Sequence, residues 1–579
     1  MKATRQCALG LAAASLALSV AGLAPEQTEL QRLALELPPA FAWGAATAAY
    51  QIEGGASSGG RRASIWDTFS HTPGKTYHGE TGDVACDHYH KFKADIALLQ
   101  SLGLRHYRLS VSWSRLLPDG RGKLNKAGVA FYTEILEELR RVGIEPLVTL
   151  YHWDLPQALE DEYGGWLDRR VIPDFAAFAD ACFEAFAPYV HTWLTFNEAL
   201  TFVGEGYGDG VHAPGRCSDR KRCAYGDSQN EPLLVAHNVL LAHGAAVAKF
   251  RQRFASQSEQ IIGMTNCGWM AWPVREDAAS GAAAEDFMEA TWAWFFDPVI
   301  FGDYPNSIKE RVGAKAMPKF TDEEQMLLKG SIDFLGVNYY TARWLAQPDE
   351  THAPAQAAQG IPYLKDRFHV ATVNDKGQQI GDQAGSEWLY VAPRGIHDVL
   401  LWLDERYTTK DLGKKFPFKI TENGLDQPAA MDETFEMALN DTYRIAYLES
   451  HIREVVLAHR DGVAVDAYYA WSLMDNYEWA DGYAKRFGLV YVNYTTQERT
   501  PKASAAWYSA LAQSRPDTLR LSKPSAKNTL ALSLGGAVLA LLGMVAAFRH
   551  FSPASRGMSH TYSEVQLQAG AEAQAGVDA

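Results

Sequence analysis

At 579 residues the chain is long enough for several domains, or for one large α/β barrel with insertions. A formal net charge of −15 excludes a basic surface for nucleic acid and a polybasic membrane patch. What remains is a neutral or small-molecule chemistry, carried by sites that only the residue pattern can locate.

The N-terminus opens with Met1, Lys2 and Arg5. An apolar run from Ala8 to Leu23 follows, with small residues at Gly22 and Ala24. That is the build of a secretory signal peptide over residues 1–24, with an uncleaved anchor as the alternative, and the expectation is a chain of the secretory pathway. From Phe41 onward, short β-type runs alternate with amphipathic helical segments. Eight such runs are predicted: Phe41–Tyr50, His106–Trp113, Glu145–His152, His191–Glu198, Ile261–Cys267, Ile332–Tyr340, Phe418–Glu422 and Val465–Ser472. Between them, His88–Leu102 repeats apolar Phe92, Ile96 and Leu99, and Phe131–Val142 repeats Ile135, Leu136 and Leu139. Gly103 and Gly143 stand where a helix C-terminus favours glycine. The alternation predicts an α/β protein built as a single (β/α)8 TIM barrel over residues 35–516.

Cys217 and Cys223, with five residues between them, lie in a loop rich in Gly, Ser, Asp and Arg. In a secreted chain they are expected to form a local disulfide; a metal site would want His or further Cys beside them, and there are none. No metal and no cofactor are expected. Cys7 falls in the signal segment, and Cys86, Cys182 and Cys267 are expected to be buried or free. Asn440-Asp441-Thr442 and Asn493-Tyr494-Thr495 are acceptor patterns for N-glycosylation. After a juxtamembrane linker at 517–529, residues 530–548 carry no charge and are rich in Leu, Ala, Gly and Val, about the length that crosses a hydrocarbon core. A polar tail at 549–579, of disordered composition, follows it, unlike a lipid-anchor signal, which ends on its apolar stretch. The expectation is a C-terminal transmembrane helix. The flanking charges do not set its orientation, so the lumenal or extracellular placement of the barrel rests on the signal peptide.

In such barrels reactive groups hang from the C-terminal strand ends. Here those ends carry Gln51; Arg108 and Trp113; His152 and Trp153; Asn197 and Glu198; Asn266; Asn338 and Tyr340; Glu422 and Asn423; and Trp471, followed by Glu478 and Trp479. One polar strand end means little, but a polar or aromatic residue at all eight does. Glu198 and Glu422 are two carboxyls at strand ends, the pair that glycoside cleavage needs: an acid to protonate the departing oxygen and a carboxylate to attack the sugar. Trp388, Trp479, Tyr483 and Phe487 offer the flat rings that sugar C–H faces stack on, while Trp402, inside a helical pattern, is assigned to the core.

From Phe41 to about Tyr508 the chain resembles the β-glucosidases of glycoside hydrolase family 1. The stretches that carry the likeness are FAWGAATAAYQIEGG, YRLSVSWSRLLPDG, LYHWDLPQAL, TFNEAL, GVNYYTA, ITENG, YAWSLMDNYEWADGYAKRFGLVYV and RTPKASAAWY, in the family's order. The resemblance implies Glu198 as general acid/base and Glu422 as nucleophile, about 5 Å apart, in a retaining double displacement. It implies that Arg108 and Tyr340 support the nucleophile and favour its ionised form, while a less polar setting keeps Glu198 protonated. Gln51, His152, Asn197, Asn338, Tyr340, Glu478 and Trp479 correspond to residues that bind the sugar, and Trp471 to its stacking floor. Trp388 is the aglycone-side residue, in an entrance shaped by 268–273 and 347–388. Glu198 stands where thioglucosidases have Gln, and Glu478 where 6-phospho-glycosidases have Ser, so O-linked, unphosphorylated sugars are implied. Terminal β-D-glucosides are the expected substrates, with β-galactosides or β-fucosides also admissible. The Cys217–Cys223 loop is similar to that of plant-like members, and the C-terminal span to lactase-like and klotho-like membrane proteins. Two alternatives share the same pocket: transfer of the sugar to an acceptor other than water, and a klotho-like sugar-binding receptor without turnover.

Overall fold

Eight short parallel strands, apolar on both faces, can hide their side chains only if helices cover the outside and the sheet closes on itself. The computed structural model, described over residues 28–254, 259–313, 315–349, 367–408, 415–428 and 434–514, has that form. Its barrel strands are β1 (Ala42–Ala46), β2 (His106–Ser110), β3 (Glu145–Tyr151) and β4 (Thr192–Asn197). Around the ring follow β5 (Ile261–Cys267), β6 (Phe334–Asn338), β7 (Phe418–Asn423) and β8 (Val465–Trp471). Each pairs in parallel with its sequence neighbour, and β8 closes on β1, with Ala46 opposite Trp471. The signal segment 1–24, the linker 517–529, the span 530–548 and the tail 549–579 lie outside the described residues.

All eight predicted strands are present, most of them shorter than expected at the ends. The run from Phe41 to Tyr50 stops at Ala46, and Ala49–Ile52 turns into a helix, which carries Gln51 off the strand. Trp113 likewise opens a short helix, Trp113–Leu116, and is fully buried against Phe178 with ring centroids 4.9 Å apart. It is a core residue and not part of a site. The predicted helices form over His88–Ser101 and Lys126–Val142, and Gly103 and Gly143 take positive φ at their ends.

Among the described residues one helix, Glu231–Phe254, is long and apolar enough to cross a membrane. It belongs to the barrel's helical shell, packed on Val171–Phe186, with 78% of its apolar window buried. Trp402 departs from its expected place: it sits half-buried on the helix Arg394–Tyr407, and its indole N–H donates to Glu285 at 2.9 Å. Cys217 and Cys223 form the expected disulfide, with Cα atoms 5.5 Å apart, and Cys86, Cys182 and Cys267 are buried and free.

Candidate active site

Both carboxyl-bearing strand ends are irregular, and the irregularity aims the side chains. The pairing of β4 with β5 shifts register between Leu194 and Asn197, and that of β7 with β6 shifts between Ile420 and Glu422. A bulge at a strand end redirects the next side chain, here toward the barrel mouth. Glu198 then takes a left-handed backbone, φ 47° and ψ 63°, with its N–H held by the Thr265 carbonyl at 2.9 Å. Register places Glu422 and Cys267 each opposite Asn338, so three adjacent strands deliver residues of their C-terminal ends at one level.

At that level the two carboxyls are joined by a buried polar chain. Arg108, from β2, donates to Glu422 Oε1 and to Asn197 Oδ1, both at 2.5 Å, and to the Thr421 carbonyl at 3.0 Å. Asn338 Nδ2 donates to Glu198 Oε1 at 2.6 Å and to Asn197 Oδ1 at 3.2 Å, while its own oxygen accepts from Thr421 at 2.7 Å. The Tyr340 hydroxyl donates to Glu422 Oε2 at 2.8 Å. Asn197 Nδ2 donates to His152 Nε2 at 3.0 Å, which leaves the imidazole proton on Nδ1, an atom with no protein partner.

Burial raises both carboxyls, but their surroundings differ. Burial and the nearby Glu422 push Glu198 up to about 7. Glu422 is also raised by burial, against the pull of Arg108, Tyr340 and Asn338, so the expected lowering is outweighed. Arg108 is fully buried, and Glu422 is the carboxylate it pairs with, so Glu422 is the charged partner of a buried ion pair. His152 is held well below its ordinary value by burial and by Arg108, and stays neutral.

These groups face a cavity of about 510 Å³ at the C-terminal strand ends. Its wall includes His152, Asn197, Glu198, Asn338, Tyr340, Trp388, Glu422, Trp471, Glu478 and Trp479. Two residues expected at the site stand behind that wall. Arg108 lies under Glu422, and Gln51 donates to Asn476 Oδ1 at 3.0 Å, to the Tyr477 carbonyl at 2.9 Å and to Glu478 Oε2 at 3.4 Å. Trp471 and Trp479 lie nearly parallel to the His152 ring, with centroids 6.1 and 5.8 Å from it. Trp388 stands at the mouth, 40% exposed and edge-on to Tyr340.

Not every strand-end or loop residue belongs here. Asn266 turns away and donates to the Thr291 carbonyl, and the Tyr483 hydroxyl donates to the Thr81 carbonyl; neither lines the cavity. The wall also includes Thr201, Glu205, Asp209, His212, Cys267 and Trp269, which sequence reasoning did not single out. Thr201, one helical turn beyond Glu198, and Trp269, inside the predicted entrance, had a local signal. The described parts of the predicted entrance, at 268–273, 347–349 and 367–388, contribute Gly268, Trp269 and Trp388, while 350–366 lies outside the described residues. Among the described residues no cluster of His, Cys, Asp or Glu is arranged to hold a metal.

Gly424, just beyond Glu422, has no room for a side chain: an added Cβ would lie 1.8 Å from the Trp471 backbone carbonyl oxygen. Gly424→Ala is therefore expected to displace either Glu422 or Trp471. The expected cost is about 3 kcal/mol in urea unfolding, with at least a tenfold loss of kcat/KM.

The model of glycosyl hydrolase family 1 matches residues 34–516. "Beta-glucosidase 24" of Oryza sativa subsp. japonica is 42% identical over 484 residues, which are 82% of this chain and 92% of that protein. "Raucaffricine-O-beta-D-glucosidase" of Rauvolfia serpentina is 41% identical over 500 residues, 82% of this chain and 90% of that protein. Among solved structures, a rice β-glucosidase superposes with a TM-score of 0.77 at 40% identity, covering 82% of this chain and 98% of that one. A β-glucosidase of the fungus Humicola insolens in complex with glucose superposes with a TM-score of 0.77 at 41% identity and the same coverage. The chain belongs to glycosyl hydrolase family 1 and is an O-glycosyl hydrolase.

Proposed function

We propose that the protein is a retaining β-glucosidase, anchored by its C-terminal span with the barrel on the lumenal or extracellular side. The observation that carries the reading of the chemistry is the pair of buried carboxyls in one cavity, one raised to about 7 and the other paired with a buried guanidinium. In the first step Glu422 attacks the anomeric carbon while Glu198 gives its proton to the departing glycosidic oxygen. This forms a glucosyl ester on Glu422 and leaves Glu198 ionised. In the second step Glu198 takes a proton from water, the water oxygen bonds to the anomeric carbon, and the ester bond to Glu422 breaks. Two inversions return the β-anomer. Tyr340 and Arg108 support Glu422 by stabilising it as a carboxylate and as a leaving group.

Glucose fits the remaining wall. His152 Nδ1–H is buried without a protein partner, and Glu478 adds a carboxyl to the same wall, so a donor and an acceptor are ready for sugar hydroxyls, with Gln51 behind them holding Glu478. Trp471 supplies the stacking floor. A variant of the rice β-glucosidase held in a covalent complex with glucose superposes on this chain with a TM-score of 0.76, which supports the covalent route.

Release of nitrophenol from a panel of β-linked nitrophenyl sugars by the full chain tests the reading: the glucoside is expected to be cleaved at least as well as the galactoside and fucoside. Failure of a folded chain to cleave any of them supports a sugar-binding role instead, and product analysis with an added alcohol separates hydrolysis from transfer. Trp388→Ala is expected to raise KM for nitrophenyl glucoside about five- to tenfold, the worth of one aromatic contact of about 1–1.4 kcal/mol. Inhibition by free glucose should be unchanged, since Trp388 sits on the aglycone side.

The anchor, the signal peptide and the secretory location rest on the sequence at 530–548 and 1–24. N-glycosylation is proposed at Asn440, which is exposed. Asn493 is the poorer candidate, because its side-chain oxygen already accepts from the N–H groups of Thr495 and Thr496.

A further inference from the structure

We propose that Thr201 and Cys267 are positioning residues, forming a thiol-to-hydroxyl-to-carboxylate relay that orients Glu198 and favours its ionised form for the second half of the reaction. The inference rests on the reading of Glu198 as acid/base.

Thr201 Oγ1 lies 2.9 Å from Glu198 Oε2 and 2.9 Å from Cys267 Sγ. A hydroxyl has one proton to give. With Glu198 ionised, that proton goes to Oε2, and the thiol proton goes to Oγ1. With Glu198 protonated on Oε2, the first bond reverses: Oε2–H donates to Oγ1, and the hydroxyl proton loses its anionic acceptor, whether it turns to sulfur or Oγ1 goes on accepting from the thiol. Sulfur accepts weakly, so the relay is stronger in the ionised direction. A proton on Oε1, whose second lone pair is left open by the Asn338 amide, keeps the chain's direction but makes Oε2 a neutral acceptor, which again weakens the bond from Thr201.

Sequence and fold put the three residues together. Thr201 is three residues beyond Glu198, on the helix Ala199–Gly204, and Cys267 ends β5 directly opposite Asn338. Cys267 is buried in the cavity wall, and its thiol is held in the protonated, donating form by burial and by Glu198. The other titratable groups facing this spot all oppose ionisation of Glu198 or are neutral: Glu422 from β7, Glu478 from the loop after β8, Tyr340 from the loop after β6, and Glu205 beside Cys267. Among the described residues Arg108 is paired with Glu422, and the His212 ring, 2.8 Å from Glu205 Oε2, is held by that carboxyl. Donors from Asn338, Thr201 and Cys267 are therefore what offsets burial at Glu198.

The test uses the full chain and two pH profiles. The alkaline limb of kcat/KM for 4-nitrophenyl β-glucoside reports Glu198 as acid; the acidic limb of kcat for 2,4-dinitrophenyl β-glucoside, where the second step limits, reports it as base. Thr201→Val should move both limbs upward by about 0.5–1 pH unit. Cys267→Ala should move them the same way by less, and Thr201→Ser and Cys267→Ser should restore the native limbs. Unmoved or lowered limbs in Thr201→Val, or in Cys267→Ala should Thr201→Val not fold, overturn the relay. Glu198→Gly separates the two levels: an alkaline limb that persists there overturns the reading of Glu198 itself. If that limb is lost while the other variants stay native, only the relay falls.

Discussion

Glu422→Gly should lower turnover of aryl β-glucosides by on the order of 10⁵-fold, the scale on which removal of a covalent nucleophile acts. The variant removes the atom that bonds to the anomeric carbon and leaves Arg108 buried without its carboxylate, since Oε1 is the acceptor at 2.5 Å from Nη1. Azide should restore part of the rate by filling the space beside Arg108 and attacking the sugar in its place. The product expected is the α-glucosyl azide, because only one inversion then takes place. Folding has to be checked alongside, as an unpaired buried guanidinium costs about 3–5 kcal/mol. A soluble, folded variant that still turns over at a tenth of the native rate would contradict the assignment.

Glu198→Gly should show a loss that depends on the leaving group. A phenol that departs without protonation needs no acid in the first step, so 2,4-dinitrophenyl β-glucoside should suffer mainly in the second. An alkyl glucoside should lose on the order of 10²–10⁴-fold from the absence of acid catalysis alone. Azide should accelerate the activated substrate and give the β-glucosyl azide, the opposite anomer to that from Glu422→Gly. The native kcat/KM profile carries the same information. Glu198 works as an acid, so with its carboxyl raised to about 7 activity should fall as pH rises through about 7, where a carboxyl at its ordinary value would already have lost its proton. In Glu198→Gly that alkaline limb should be gone. The pair of opposite anomers is hard to obtain from any other assignment of the two residues.

Much of this site was legible because barrel chemistry sits at strand ends and the strands are short. β5 was read with its observed limits, Ile261–Cys267, since it is β-branched at its start, preceded by polar Ser258-Glu259-Gln260 and closed by Gly268. What could not be read were the places where backbone departs from its local pattern. The bulges before Asn197 and Glu422, and the left-handed Glu198, are set by pairing with β5 and β6, far away in sequence. Gln51 and Trp113 looked like strand ends, but the chain had already turned into helix at both. The sign of the Glu422 shift also escaped the sequence. Arg108 and Tyr340 were legible as its partners, but the depth of burial that outweighs them is a property of the closed barrel. Thr201 and Cys267 are separated by 66 residues, and only the β4–β5 neighbourhood brings them into contact.

The most direct test of the central claim is to trap the intermediate. 2,4-Dinitrophenyl 2-deoxy-2-fluoro-β-glucoside should inactivate the full chain with release of one phenol per active site, and peptide mapping should place the sugar on the segment containing Ile420-Thr421-Glu422-Asn423. An adduct on any other residue, or continued turnover of the fluorosugar with no adduct and with the α-anomer of glucose as first product from the natural sugar, would contradict the account.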